Sequence, residues 1–183
     1  MKAPPRELAT ERLVLRALES HDAPVLAQLV ARNHDRLAES FPSTVHHLQP
    51  SGAASYVTAR EADWQAARSF WFGLHLDHQL IGQAQIKDID WDLGRAELAY
   101  HIDREHEGRG LATEALACLI DTAFADLRLH KLFLRIIAGN ARSIALAERV
   151  GFQREGVLRR EWIAIDGTRV DIEYFGLLKT DPR

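Results

Sequence analysis

Apolar and polar positions alternate along the chain in two distinct periods, and the switches between them predict a regular succession of strands and helices. Arg12-Leu13-Val14-Leu15-Arg16-Ala17 predicts a first strand. Asp22-Ala23-Pro24 supplies a cap and an early proline, and Val25, Leu26, Leu29 and Val30 recur at helical spacing, so a helix is expected to about Ala31. Residues 33–49 carry no clear period and are read as loop or short helix. Ser51-Gly52 precedes a second helix over 53–67, with Tyr56, Val57, Ala59, Ala62 and Trp64 leaning to one side. Strands are expected over 69–76, 80–88 and 95–102, joined by a tight Asp77-His78-Gln79 connection and an Asp92-Leu93-Gly94 turn. A helix over 110–126, a buried strand over 131–138 and a helix over 141–150 follow, the last closed by Gly151. Two strands, 157–165 and 168–178, flank Asp166-Gly167, a two-residue hairpin signal.

The resulting order, β-α-α-β-β-β-α-β-α-β-β, implies the α/β class, with a mixed sheet and helices on both faces. The 183 residues suit one domain spanning 1–183, with 1–7 expected as a loose tail.

Composition narrows the function classes. A net charge of −3 gives no basic excess for a nucleic-acid partner. The N-terminus has no apolar stretch and no run of 18 apolar residues occurs, so neither a signal peptide nor a membrane span is expected, and the cytoplasm is the default location. The single cysteine, Cys118, sits in the apolar run Ala115–Ile120 and reads as a buried helix thiol rather than a nucleophile. Nine histidines fall without zinc spacing, so no metal is expected.

The strongest chemical signal is Ile102-Asp103-Arg104-Glu105-His106-Glu107-Gly108-Arg109-Gly110-Leu111-Ala112-Thr113-Glu114-Ala115, where a strand ends, two glycines bracket an arginine and a helix begins. Helix N-termini present free backbone N–H groups and partial positive charge, and glycine lets that backbone approach an anion closely. Arg104 or Arg109 can add a charge-assisted contact. The lysine of a nucleoside-triphosphate loop is missing, and so is the third glycine of a dinucleotide fingerprint.

Downstream lie Asn140-Ala141-Arg142-Ser143, Glu148-Arg149-Val150-Gly151-Phe152 and Glu155-Gly156. Together with the glycine turn they resemble the GNAT superfamily of acetyltransferases, and more narrowly its RimJ/RimL-type branch of ribosomal-protein N-terminal acetyltransferases. The resemblance runs from Thr10-Glu11-Arg12-Leu13 through Asp171-Ile172-Glu173-Tyr174. The family's pyrophosphate loop, Gln/Arg-x-x-Gly-x-Gly/Ala, is matched at Gly110 and Ala112, while Glu107 departs from it at the first position. The resemblance implies the GNAT acyl-CoA N-acyltransferase fold, acetyl-CoA as co-substrate and direct transfer to a primary amine. By family analogy that amine is a protein or peptide α-amine. Whether the chain forms a homodimer is left open.

Cofactor contacts are then expected from Tyr100, His101 and Ile102 at the strand end, where a backbone N–H polarises the thioester carbonyl, and from His106, Glu107, Gly108, Arg109, Gly110, Leu111, Ala112 and Thr113 in the turn. Asn140 and Ser143 complete the set. Strand alternation puts Glu97 on one face with Ala99 and His101, and a carboxylate in a cleft gains a raised pKa, so Glu97 is the candidate general base. The alternative is a surface Glu97 paired with Arg95 or a neighbouring strand's cation. In RimL-like relatives a serine matching Ser143 protonates the departing thiolate; local capping by Asn140 and Ser143 explains the same residues. The tyrosine that some family members place seven residues after the asparagine is Ala147 here. Glu161 is a second-rank base, and Phe41 and Trp64 are candidates to line an acceptor cleft. A small-amine acetyltransferase for an antibiotic or polyamine, a non-catalytic acyl-CoA sensor and a P-loop-like nucleotide binder remain alternatives.

Overall fold

The alternating segments assemble into one eight-stranded sheet in the computed structural model, which describes residues 3–49 and 51–182. In chain order the elements are β1 (Glu7–Ala9), β2 (Leu13–Ala17), α1 (Ala23–Arg32), α2 (His34–Ser40), α3 (Pro42–His47), α4 (Ala53–Gln65) and β3 (Phe70–Leu76). They continue with β4 (Gln79–Asp90), β5 (Arg95–Ile102), α5 (Leu111–Ala125), β6 (Lys131–Ile137), α6 (Ala141–Arg149), β7 (Gln153–Ile163) and β8 (Arg169–Leu178). The strands lie in the order β1-β2-β3-β4-β5-β6-β8-β7.

Three elements are added to the expected order. Residues 33–49 hold two short helices, α2 and α3, broken at Phe41 before Pro42. At the N-terminus β1 pairs antiparallel with β2, Glu7 opposite Arg16, and the Arg6 carbonyl accepts from the Ala17 amide at 2.7 Å. The chain therefore joins the sheet before residue 8 instead of hanging as a tail to residue 7; Met1 and Lys2 of that expected tail lie outside the described residues. The last hairpin also starts earlier than its alternation suggests, at Gln153, because register shifts along β7 interrupt the two-residue period.

All neighbouring strands are antiparallel except β5 and β6. Their parallel pairing runs only from Arg95–Lys131 to Glu97–Phe133, although β5 continues to Ile102 and β6 to Ile137. Beyond Glu97 the two strands part, and the middle of the sheet opens at the C-terminal end of β5.

The two faces of the sheet differ in chemistry. On one, Phe70, Phe72, Ala84, Ile86, Ala96 and Leu98 share a core with Leu116, Leu119, Ile120 and Phe124 of α5. Those α5 residues recur at i, i+3, i+4 and i+8, the stripe that holds a helix on a sheet. On the other face Gln83, Gln85 and Lys87 of β4 stand opposite His101, Ala99 and Glu97 of β5. Above them α1 to α4 build a second apolar cluster that includes Leu26, Leu29, Tyr56, Val57 and Trp71. No described helix is long and apolar enough to cross a membrane.

Candidate active site

The parting of β5 and β6 creates a cavity of about 410 Å³. Glu97, Leu98, Ala99 and Tyr100 line it from β5, Leu134 to Ile137 from β6, and Asn140 and Ser143 from the start of α6. Phe41, Pro42, Thr44, Tyr56 and Arg60 close one side, and Glu161 and Trp162 of β7 the other. Trp162 ties that outer wall down, since its indole donates to the Glu39 carbonyl at 2.9 Å.

Glu97 is only 4% exposed, so the surface alternative does not describe it, but its expected cationic neighbours are present. Lys87 reaches its Oε2 at 2.8 Å, and the Arg135 Nη2 reaches the same oxygen at 2.6 Å. Burial pushes the Glu97 carboxyl above its ordinary value, against the opposing pull of Lys87 and Arg135. A buried charge is tolerated only with such partners. Register explains the pairing: Lys87 lies directly opposite Glu97 across β4–β5, and Arg135 lies on β6 just past the last paired residue.

Asn140 is the N-cap of α6, its side chain accepting from the Ser143 amide at 3.2 Å, as local capping requires. Both residues also face the cavity. Beside Ser143 stands the Tyr100 hydroxyl, pushed up by burial and pulled back by that serine. Tyr100 thus brings a side chain to the site as well as the expected main chain. Ala147 is fully buried in the main core and presents no hydroxyl.

His101 brings no side chain to the cavity. Its ring turns away from the cavity, with Nε2 3.0 Å from Gln83 Oε1 and the ring edge-on to Phe41 at 5.5 Å between centroids. Burial drives it down to about 3, so it is neutral at ordinary pH. Any cofactor contact from this residue is left to its backbone. Ile102 is likewise buried, and its carbonyl accepts from Arg36. Phe41 lines the cavity, whereas Trp64 packs in the main core against Phe70 and Phe72.

The glycine turn forms a second part of the site, outside the cavity wall. Arg104 to His106 make a single 3-10 turn, Gly108 and Gly110 take φ of 72° and 77°, and Gly110 is the N-cap of α5. Both glycines occupy the left-handed region that other residues enter only with strain. Among the described residues, no amide from Gly108 to Thr113 donates to a protein group. Gly108, Arg109 and Gly110 are exposed, and a Cβ added at Gly108 would meet nothing within 4 Å. A row of free amides at a helix start suits a diphosphate.

The turn is held from behind. Glu114, in the first turn of α5, accepts from the Thr10 hydroxyl, the Arg12 amide at 2.8 Å and Arg12 Nε at 2.7 Å. Arg12 Nη1 also donates to the Arg109 carbonyl at 2.9 Å. Glu107 is clasped by Arg36 at 2.5 Å and Arg142 at 2.6 Å, which links the turn to the first residues of α6 across the parted strands. The unusual acidic residue therefore has a local function: it ties three elements around the cleft mouth. Lys87, Arg135, Tyr56, Arg60 and Gln85 were not singled out as site residues by sequence pattern; strand register and the helix covering place them here.

Residues 12–153 match the family model described as Acetyltransferase (GNAT) domain. The chain is 33% identical over 175 residues to the "Putative ribosomal N-acetyltransferase YdaF" of Bacillus subtilis (strain 168), covering 93% of each. It is 29% identical to the [Ribosomal protein uS5]-alanine N-acetyltransferase of Escherichia coli (strain K12), covering 90% of this chain and 86% of that one. Among solved structures, RimJ of Mycobacterium smegmatis in complex with CoA-disulfide superposes with a TM-score of 0.83 at 24% identity, covering 91% of this chain and 82% of that one.

Proposed function

The chain belongs to the GNAT family of N-acetyltransferases, and on that premise we propose that it transfers acetyl from acetyl-CoA to the α-amine of a peptide or protein in the cytoplasm. The observation that carries the reading is the meeting of two features where β5 and β6 part: a largely apolar cavity holding a buried carboxylate, and a run of free amides at a helix start.

The residues suit coenzyme A at the turn. The backbone from Gly108 to Thr113 receives the diphosphate, and the gap between β5 and β6 admits the narrow arm toward Asn140 and Ser143. Bound there, acetyl-CoA supplies a thioester carbonyl open to attack. The unpaired main chain of β5 beyond Glu97 is the natural place for a donor that polarises the carbonyl oxygen.

The amine enters from the side of Glu97. A free α-amine has a pKa of roughly 7.7–8.0, so about a tenth is neutral near pH 7 and ready to attack. As the carbon–nitrogen bond forms, the nitrogen loses a proton, and Glu97 accepts it through water. Burial makes the carboxylate more basic, while Lys87 and Arg135 favour its ionised form against that burial. When the carbon–sulfur bond breaks, the Ser143 hydroxyl protonates the thiolate and regains a proton from solvent at the cleft mouth. Holding both reactants together lowers the barrier by up to roughly 7–11 kcal/mol, so acid and base are refinements on proximity.

Purified protein incubated with acetyl-CoA and a panel of peptides, lysine derivatives and small amines should release free thiol fastest with a free N-terminal peptide. Coenzyme A binding without thiol release from any amine would instead support the sensor reading.

A further inference from the structure

The floor of the cavity has a chemistry of its own. It is made by Thr44 of α3, Tyr56 and Arg60 one turn apart on α4, and the paired residues Trp71 and Gln85 of β3 and β4. Gln85 in turn lies opposite Ala99, two residues along β5 from Glu97. A group bonded close to the reacting amine would therefore reach this floor.

Three polar atoms of the floor are buried without a hydrogen-bond partner: the Tyr56 hydroxyl, Arg60 Nε and Gln85 Oε1. Tyr56 is 5% exposed and Gln85 3%. Thr44, Gln83 and Arg60 surround the Tyr56 hydroxyl, yet none meets it in hydrogen-bond geometry. Folded proteins keep few such groups, and a cluster of them facing one cavity calls for a functional reason. A phenylalanine at 56 would fill the same space without the orphaned hydroxyl. Burial raises that hydroxyl to about 12, so it stays protonated and able to donate.

Charge narrows the choice of ligand. Arg60 is already paired with Asp63 at 3.0 Å, and its guanidinium lies against the Trp71 and Tyr56 rings. The cavity's carboxylates are Glu97 and Glu161, neither of them on the floor. A second ammonium pushed to the floor would meet Arg60 with no opposing acid among the floor residues, and a carboxylate would compete with Asp63. Arg60 Nε can only donate, Gln85 Oε1 can only accept, and the Tyr56 hydroxyl can do either. The complementary group is small, uncharged, and both donor and acceptor.

We propose that Tyr56, Arg60 and Gln85 form a specificity pocket for the substituent beside the reacting amine, and that it selects a hydroxyl or a carboxamide over an apolar group, and over the second ammonium of a polyamine. The proposal rests on the cavity being the acceptor cleft.

The test uses the full chain with acetyl-CoA and peptides alike except for a first residue of Ser, Asn, Val or Lys, with spermidine alongside. Thiol release should give a kcat/KM for Ser and Asn at least about tenfold above Val, Lys and spermidine, the penalty for leaving a site's polar groups unpaired. In Tyr56→Phe the Ser-to-Val ratio should fall toward one, with coenzyme A affinity unchanged and the melting temperature equal or higher. Gln85→Met provides a second, independent loss of discrimination. Equal rates for Ser and Val in the wild type, a preference for spermidine, or a ratio preserved in both variants would overturn the pocket while leaving the transferase reading intact. Failure of every amine would overturn both.

Discussion

The two faces of the central sheet are built from the same strands yet follow opposite rules. The face under α5 is apolar throughout, with Phe70, Phe72, Ala84, Ile86, Ala96 and Leu98 all essentially inaccessible. The face under α1 to α4 buries Gln83, Gln85, Glu97 and His101 as completely, and four of its side-chain atoms, counting only Gln83, Gln85, Tyr56 and His101, have no partner. Close packing of apolar atoms stabilises a fold; buried unpaired polar groups destabilise it by about 1–3 kcal/mol each. One side of the sheet therefore contributes stability with little conflict, whereas the other side carries the buried polar groups, Glu97 among them. Functional sites are where such local conflicts are expected.

The sharpest way to break this division is to damage the apolar face. Phe72 is wholly buried and meets Trp64 edge-on at 5.0 Å between centroids. Phe72→Ala should cost about 3–5 kcal/mol in urea unfolding, by lost burial and the cavity left behind. A loss below 1 kcal/mol would mean that this face does not carry the stability assigned to it.

On the polar face the largest effect should come from Glu97→Gln. The isosteric amide cannot accept the amine proton, so kcat/KM should fall by about a hundredfold, the lower end for general-base catalysis. The acidic limb of the pH–rate profile should flatten in the variant. In the wild type that limb should stand above the range of an ordinary glutamate, because burial raises the carboxyl. Coenzyme A binding, followed by calorimetry, should be unaffected. An unchanged rate and profile would remove Glu97 from the mechanism.

His101 separates the faces by pH instead of by rate. Its folded pKa of about 3 lies below the ordinary 6.5, so the unfolded chain takes up a proton that the folded chain refuses. Stability from this residue is complete above pH 6.5 and is lost as pH falls from there toward 3. Between pH 8 and pH 5 the loss should be about 2 kcal/mol. His101→Gln should flatten that part of the stability curve; an equally steep curve would assign the acid sensitivity to other groups.

The same contrast explains what was legible in the sequence. The glycine turn could be read because its cause is local: Gly108 and Gly110 need positive φ, and the stripe of α5 begins at once. The apolar face was equally plain, since its strands and α5 announce their periods. The partners of Glu97 were not, because Lys87 and Arg135 meet it through the register of three strands, and β4 pairs with β5 through an irregularity near Lys87. Helices α2 and α3 were legible only as loop or short helix because they are short and lack side-chain caps, α2 holding its place through contacts such as Arg36 to Glu107. Tyr56 sits on the apolar side of α4, as its spacing implies, and nothing in that spacing says that its hydroxyl ends at a cavity.

Glu107 offers the smallest and most discriminating prediction, because it joins a legible motif to an illegible contact. Glu107 directly precedes the glycines of the turn, and its carboxylate is shared between Arg36 and Arg142, the latter a side chain 85% exposed. Partly exposed ion pairs of this kind contribute at most about 1 kcal/mol each to stability. Glu107→Gln, which loosens both pairs, should therefore lower the melting temperature only modestly. It would also remove a negative charge next to the place assigned to a diphosphate and free Arg142 to approach it. Coenzyme A should bind roughly two- to fivefold more tightly at low salt, and the gain should fade by about 1 M salt, where charges are screened within about 3 Å. Weaker binding would show that the clasp orders the turn and that its geometry outweighs the repulsion. In that case the departure from the family's usual Gln or Arg would be a structural tie replacing a direct phosphate contact, and Arg142→Ala should weaken binding in the same direction.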